Sequence, residues 1–113
     1  MEQSLNESEC GLLAELFTVF ANPTRLQLFC CMQEGRKSVS ELAEYAGVTL
    51  QNASQHLRLM RDKGALGTHK EGQHVYYEVV DQRFIEAAQM MRAALVESIQ
   101  RKAGAIEPDR QTQ

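Results

Sequence analysis

The chain has 113 residues, 24% of them charged, and a formal net charge of −3. That length suits one domain with a modest core, to which a second subunit would add buried surface. No apolar run approaches the roughly 18–20 residues of a membrane span, no charged-then-apolar leader opens the chain, and the acidic balance argues against a non-specific nucleic-acid coat. A cytoplasmic protein without membrane contact is expected. The three cysteines, Cys10, Cys30 and Cys31, form no CxxC pair, and an odd count in such a chain is not a disulfide scaffold.

Residues 1–6 are polar and expected to fray. From about Glu7 to Phe20 the pattern is helical. Leu12, Leu13, Leu16, Phe17, Val19 and Phe20 make it apolar around much of its circumference, as in a helix that meets a second subunit as well as its own core. Asn22 then caps a second helix with Pro23 in its first turn. This helix is expected to run to about Glu34 and end at Gly35. Leu26, Leu28, Phe29 and Met32 supply its core face. Cys30 falls at the edge of that face and Cys31 nearer the opposite side. Arg36 and Lys37 follow in a loop, positioned for a phosphate.

Ser38 and Glu41 are spaced as a capping box. Val39, Leu42, Ala43 and Ala46 give a third helix one apolar face, and Gly47 suits its left-handed end. Thr49 caps a fourth helix, which Gly64 stops. Leu50, Ala53, Leu57 and Met60 or Arg61 fall on one stripe. Gln51, Asn52, Ser54, Gln55, His56 and Arg58 occupy the other. Two short helices across a glycine turn form a helix-turn-helix.

Ala65–His69 and Val75–Val80 read as strands joined by a turn over 70–73. A last helix follows from about Asp81 to Ala103. Phe84, Ala88, Met91, Leu95 and Ser98 or Ile99 form its apolar seam, widened by Ile85, Ala87, Ala94 and Val96. Residues 104–113 are expected to be disordered. The expected architecture is mainly α with a small β-hairpin, in the order ααααββα. That is a winged helix-turn-helix in a single domain over 1–103, dimerising through the first and last helices.

The reading end is basic although the chain is acidic. Between Gln51 and His74 lie Arg58, Arg61, Lys63 and Lys70 against Asp62 and Glu71, with all three histidines. Gln51, Asn52 and Gln55 carry amides that can pair with adenine edges. Ser54 and Thr49 can donate to phosphate or base. The alternative for each is a solvated helix face. Arg58 and Arg61 are expected phosphate clamps, with Asp62 or Glu41 as a competing partner for Arg61. His56 is expected either on DNA or as a hydrogen-bonded packing residue beside it. Lys70, Gln73 and His74 on the hairpin, with Lys37 and Ser38 before the third helix, complete the expected DNA-contacting set. No nucleophile–base set or phosphate loop is legible, so no enzyme is expected.

ANPTRLQLF (21–29), SVSELAEYAGVTLQNASQHLRLMRDKGAL (38–66) and EGQHVYYEV (71–79) resemble the ArsR/SmtB family of bacterial repressors. The resemblance covers roughly residues 12–100, and Leu50 and Ala53 depart from its commoner Gln and Val. It implies a homodimer that binds a palindromic operator in double-stranded DNA and is released by a stimulus. The family's metal ligands, cysteines early in the third helix or Asp/His sets in the last, have no counterparts here, so no metal site and no cofactor is expected. Thiol-based members direct attention to the cysteines. Cys30 matches the second-helix cysteine of persulfide-type members, but their partner cysteine falls at about Val96. The vicinal Cys30–Cys31 pair is a candidate redox switch, with Cys10 a possible accessory and Arg25, Arg36 or Lys37 candidates to activate a thiolate. Soft-metal binding and plain packing stand beside that reading. Adjacent Cα atoms about 3.80 Å apart lie closer than the roughly 4.4–6.8 Å usual for a disulfide, so closure would deform the helix.

Overall fold

Side-chain caps set where the helices start. In this computed structural model, which describes residues 4–106 and side chains through residue 104, α1 (Glu7–Phe20) is capped by Asn6. Its Oδ1 accepts from the Glu9 N–H at 2.8 Å, and Glu9 Oε1 accepts from the Asn6 N–H at 3.1 Å. Asn22 caps α2 (Pro23–Cys31) through the Arg25 N–H. The Ser38–Glu41 box closes reciprocally at the start of α3 (Val39–Ala46). Thr49 Oγ1 accepts from the Asn52 N–H at the start of α4 (Leu50–Asp62). Each cap satisfies a donor that the first helical turn leaves without a partner.

The turn between α3 and α4 depends on Gly47. Its φ of 68° and ψ of 35° are left-handed, and the Val48 N–H closes onto the Ala43 carbonyl at 3.0 Å. That geometry reverses the chain within three residues and delivers Thr49 in extended conformation, ready to cap α4. Leu28, Phe29 and Met32 from the α2 end, Leu42 and Ala43 from α3, and Ala53, Leu57 and Met60 from α4 are buried together with Val19. The Phe20 and Phe29 rings meet edge to face at 4.9 Å and seal α1 onto α2.

The hairpin of β2 (Leu66–Glu71) and β3 (His74–Val79) turns tightly at Gly72–Gln73. Ala65, Leu66 and Tyr77 anchor its base in the core. A two-residue strand, β1 (Lys37–Ser38), pairs antiparallel with β3, giving the order β1-β3-β2. β1 was not expected. Two residues carry no period-2 signal, and their pairing with Tyr77 and Tyr76 is long-range.

By internal contacts the chain divides into two units, Met1–Asp81 and Gln82–Gln113. The second contains one helix, α5 (Gln82–Ile106), with Met90, Met91, Leu95 and Ile99 exposed. It continues three residues past the expected end at Ala103, so 104–106 are helical rather than disordered. The rest of the expected tail, 107–113, and residues 1–3 of the expected frayed start lie outside the described residues.

Two further expectations are corrected. α2 ends at Cys31, because the Met32 N–H already turns back to the Phe29 carbonyl and residues 32–34 form turns. Leu26 is 41% exposed rather than core. At about 100° per residue it lies about 60° from Phe29, on the rim of the face that Leu28 and Phe29 bury.

Nothing lies within 4 Å of where a Cβ on Gly47 would stand. Gly47→Ala is therefore expected to cost about 1–2 kcal/mol from the left-handed backbone alone. In urea unfolding this lowers the midpoint at constant m. An unchanged midpoint would show that the turn does not require glycine.

Candidate nucleic-acid interface

α4 has two unlike sides. Ala53, Leu57 and Met60 are fully buried, whereas Gln51, Asn52, Gln55 and Arg58 are exposed and Ser54 is half-buried between them. The buried side rests on α2, α3 and β2. The amide-bearing side is therefore held by a packed support while remaining free in solvent. Leu50, expected on the buried stripe, is 56% exposed. It is the first residue of the helix.

His56 is half-buried, between exposed Asn52 and buried Met60 around the helix. Arg25 Nε donates to the Val19 carbonyl at 2.6 Å, Nη2 donates to the Thr18 carbonyl at 3.3 Å, and Nη1 lies 3.3 Å from His56 Nδ1. Guanidinium can only donate, so Nδ1 accepts and the ring proton sits on Nε2. Burial, and then the Arg25 charge, hold the His56 pKa below the ordinary histidine value. His56 is thus tied through Arg25 to the open carbonyls at the end of α1. Sequence reasoning missed this role for Arg25. A usable signal was present: an arginine just after a helix C-terminus, where carbonyls lack intrahelical donors.

The other expected contacts are distributed around α4. Arg61 bonds Asp62 Oδ1 at 3.1 and 3.2 Å, an exposed pair that constrains it little. Lys70, Gln73 and His74 are exposed on the hairpin. Arg36 Nη2 pairs with Glu71 Oε2 at 3.0 Å, and its guanidinium lies 5.6 Å from the Tyr76 ring centre, an exposed contact that likewise constrains it little. Lys37 and Ser38 are half-buried in β1. The Ser38 and Thr49 hydroxyls accept from their cap N–H groups. Each keeps its own proton for donation.

Cys30 and Cys31 occupy the last turn of α2, both half-buried and unoxidised, and Cys10 is exposed on α1. Burial raises the Cys30 thiol. Burial also raises Cys31, where Lys37 pulls down and Glu41 pushes up. Neither Arg25 nor Arg36, the expected activators, contributes to these shifts. Cys31 opens onto a shallow depression shared with Lys37, Glu41, Glu44 and Tyr45. Among the described residues no group of three or more His, Cys, Asp or Glu side chains could hold a metal ion. Nor is any described helix long and apolar enough to cross a membrane.

The Helix-turn-helix domain family matches residues 20–66. The chain is 31% identical over 93 residues to the biofilm growth-associated repressor of Xylella fastidiosa, covering 82% of this chain and 75% of that protein. The solved AntR antimony-specific transcriptional repressor matches with a TM-score of 0.73 at 27% identity, over 88% of this chain and 92% of that one. The homodimeric winged helix-turn-helix domain of Mb0332 from Mycobacterium bovis, described as a possible ArsR-family regulator, has the same fold. It matches with a TM-score of 0.76 at 20% identity, over 89% of this chain and 95% of that domain.

A depressed native pKa means that the folded state binds fewer protons at His56 than the unfolded chain. The associated stability is complete above the unfolded value of about 6.5 and is lost as pH falls through the native value. Chemical denaturation from pH 8 to pH 5 should show wild-type stability declining below about pH 6.5. His56→Asn, whose Oδ1 can accept from Arg25, should flatten that decline. Identical pH slopes for the two proteins would remove His56 as the source.

Proposed function

Because the chain belongs to the ArsR/SmtB family of winged helix-turn-helix transcriptional regulators, which are DNA-binding proteins and not enzymes, we propose that it is a cytoplasmic homodimeric repressor that binds a palindromic operator. The observation that carries this reading is the exposed Gln51–Asn52–Gln55 face on a helix whose opposite side is fully buried. Such a helix enters the major groove with its amides toward adenine edges. Thr49, Ser54, Arg58 and Arg61 flank it toward the backbone, as do Lys37 and Ser38 from β1. Lys70, Gln73 and His74 extend the contact along the hairpin. His56 joins α4 to α1 through Arg25. The two-fold axis comes from the apolar side chains left exposed on α1 (Leu12 at 68%, Phe17 at 48%) and on α5 (Leu95 at 60%, Ile99 at 56%). A second protomer is the partner such surfaces fit.

The second reading concerns release. We infer that oxidation of Cys30 and Cys31 weakens DNA binding. The favouring observation is their place in the last turn of α2, whose other side packs on α3 and α4. A peroxide would take one thiol to a sulfenic acid, releasing water, and the neighbouring thiol would displace a second water to close the disulfide. The bond would deform the turn ahead of Met32. Cys31 is reachable from its depression. Because burial raises both thiols, the step accelerates as pH rises and more thiolate forms. Cys10 is an accessory at most. A soft metal at the same pair, in keeping with the antimony-specific relative, is the alternative effector.

Gln55→Ala is expected to cost about 1–3 kcal/mol of operator affinity and relax sequence preference. Titrations against a palindromic promoter fragment and scrambled DNA at several salt concentrations measure both. Equal affinity for the two DNAs at all salts would refute specific reading. Mild peroxide should lower wild-type affinity and spare the Cys30→Ser/Cys31→Ser variant. Equal loss in both proteins would eliminate the thiol switch.

A further inference from the structure

Leu50 is the first residue of α4 and is 56% exposed. At about 100° per residue Leu50 points the way Leu57 does two turns later, but it stands in the first turn, where the core that buries Ala53, Leu57 and Met60 leaves it uncovered. Ser54 and Arg58 continue its i, i+4, i+8 ridge toward the reading face. The neighbouring positions Thr49, Gln51 and Asn52 are all exposed and polar. Leu50 therefore contributes little to the packing of its own unit, yet it stands where a reading helix first reaches base edges.

Only one feature of a base edge in the major groove favours an apolar side chain: the C5-methyl of thymine. Gln51 and Asn52, beside it, are suited to adenine N6 and N7. Every adenine in a duplex faces a thymine, so an amide pair flanked by leucine is complementary to a short run of A·T pairs. We propose that Leu50 is a specificity-determining residue that packs on a thymine methyl in each operator half-site. This inference rests on the DNA-reading role of α4 given above.

The test uses the full-length protein and a pool of random-sequence duplexes. The most enriched duplex is rebuilt with deoxyuridine replacing one thymidine at a time, which removes only the methyl. At one thymine per half-site the substitution should weaken wild-type binding about fourfold, the contribution of one buried carbon. Leu50→Ala should bind the thymidine duplex with a similar deficit and ignore the substitution at that position. Thermal unfolding and sedimentation of Leu50→Ala should match wild type. Specific enrichment without any methyl-sensitive thymine would overturn the role of Leu50 and leave α4 as the reading helix. A methyl penalty that persists in Leu50→Ala would also overturn it, as would a shifted monomer–dimer equilibrium, which would place Leu50 at a subunit contact. Failure to enrich any sequence over the starting pool would remove the DNA-reading role and the inference with it.

Discussion

The structure depends on one constraint: α4 must be buried completely on one side and not at all on the other. Ala53, Leu57 and Met60 satisfy the first half with side chains of graded size. Ala53 admits close approach, while Leu57 and Met60 fill the space among α2, α3 and the base of the hairpin. Losing either large side chain would cost about 2–5 kcal/mol. Much of what surrounds α4 serves this placement. Gly47 sets its direction, Thr49 its first turn, and Ala65 and Leu66 the strand that leaves its end.

This constraint explains what was legible in the sequence. Helix starts were read correctly from Asn22, Ser38 and Thr49 because capping is local chemistry, decided within three residues. The Gly47 turn was legible for the same reason. The chain beyond α2 was less so. β1 consists of two residues whose identity as a strand comes from Tyr76 and Tyr77, about forty positions away. The end of α2 was misjudged because Met32 continues the apolar pattern although the backbone has already turned. Leu26 and Leu50 were assigned to buried faces because periodicity reports a side chain's direction, not whether another element reaches it.

The candidate site divides along the same line. The amide face of α4 followed from residue types on one helix. The role of Arg25 did not, because it joins three elements through two carbonyls and one imidazole nitrogen. The thiols show the reverse error. Basic residues close in sequence suggested activation, but Arg25 turns toward α1 and Arg36 toward Glu71. Lys37 alone acts on Cys31, against burial and Glu41. Position beneath the reading head, rather than intrinsic reactivity, is what recommends the pair as a switch.

Arg25 also bears on how a dimer would read DNA. Two-fold recognition requires the reading helices to sit one helical turn apart, about 34–36 Å. That spacing is only as well defined as the link between the dimer surface and α4. In the proposed dimer the surface includes α1, with Leu12 and Phe17 exposed on it. The same helix presents the Thr18 and Val19 carbonyls to Arg25, which reaches His56 on α4. Guanidinium suits this link because its donors form a rigid planar fork and its charge persists at any physiological pH. A lysine could satisfy one carbonyl but could not hold two carbonyls and an imidazole in fixed geometry. The neutral imidazole matters to this contact, since a protonated ring would set two cations 3.3 Å apart. Packing beneath α4 fixes its height and direction. The Arg25–His56 contact joins it to the helix on which the partner would dock.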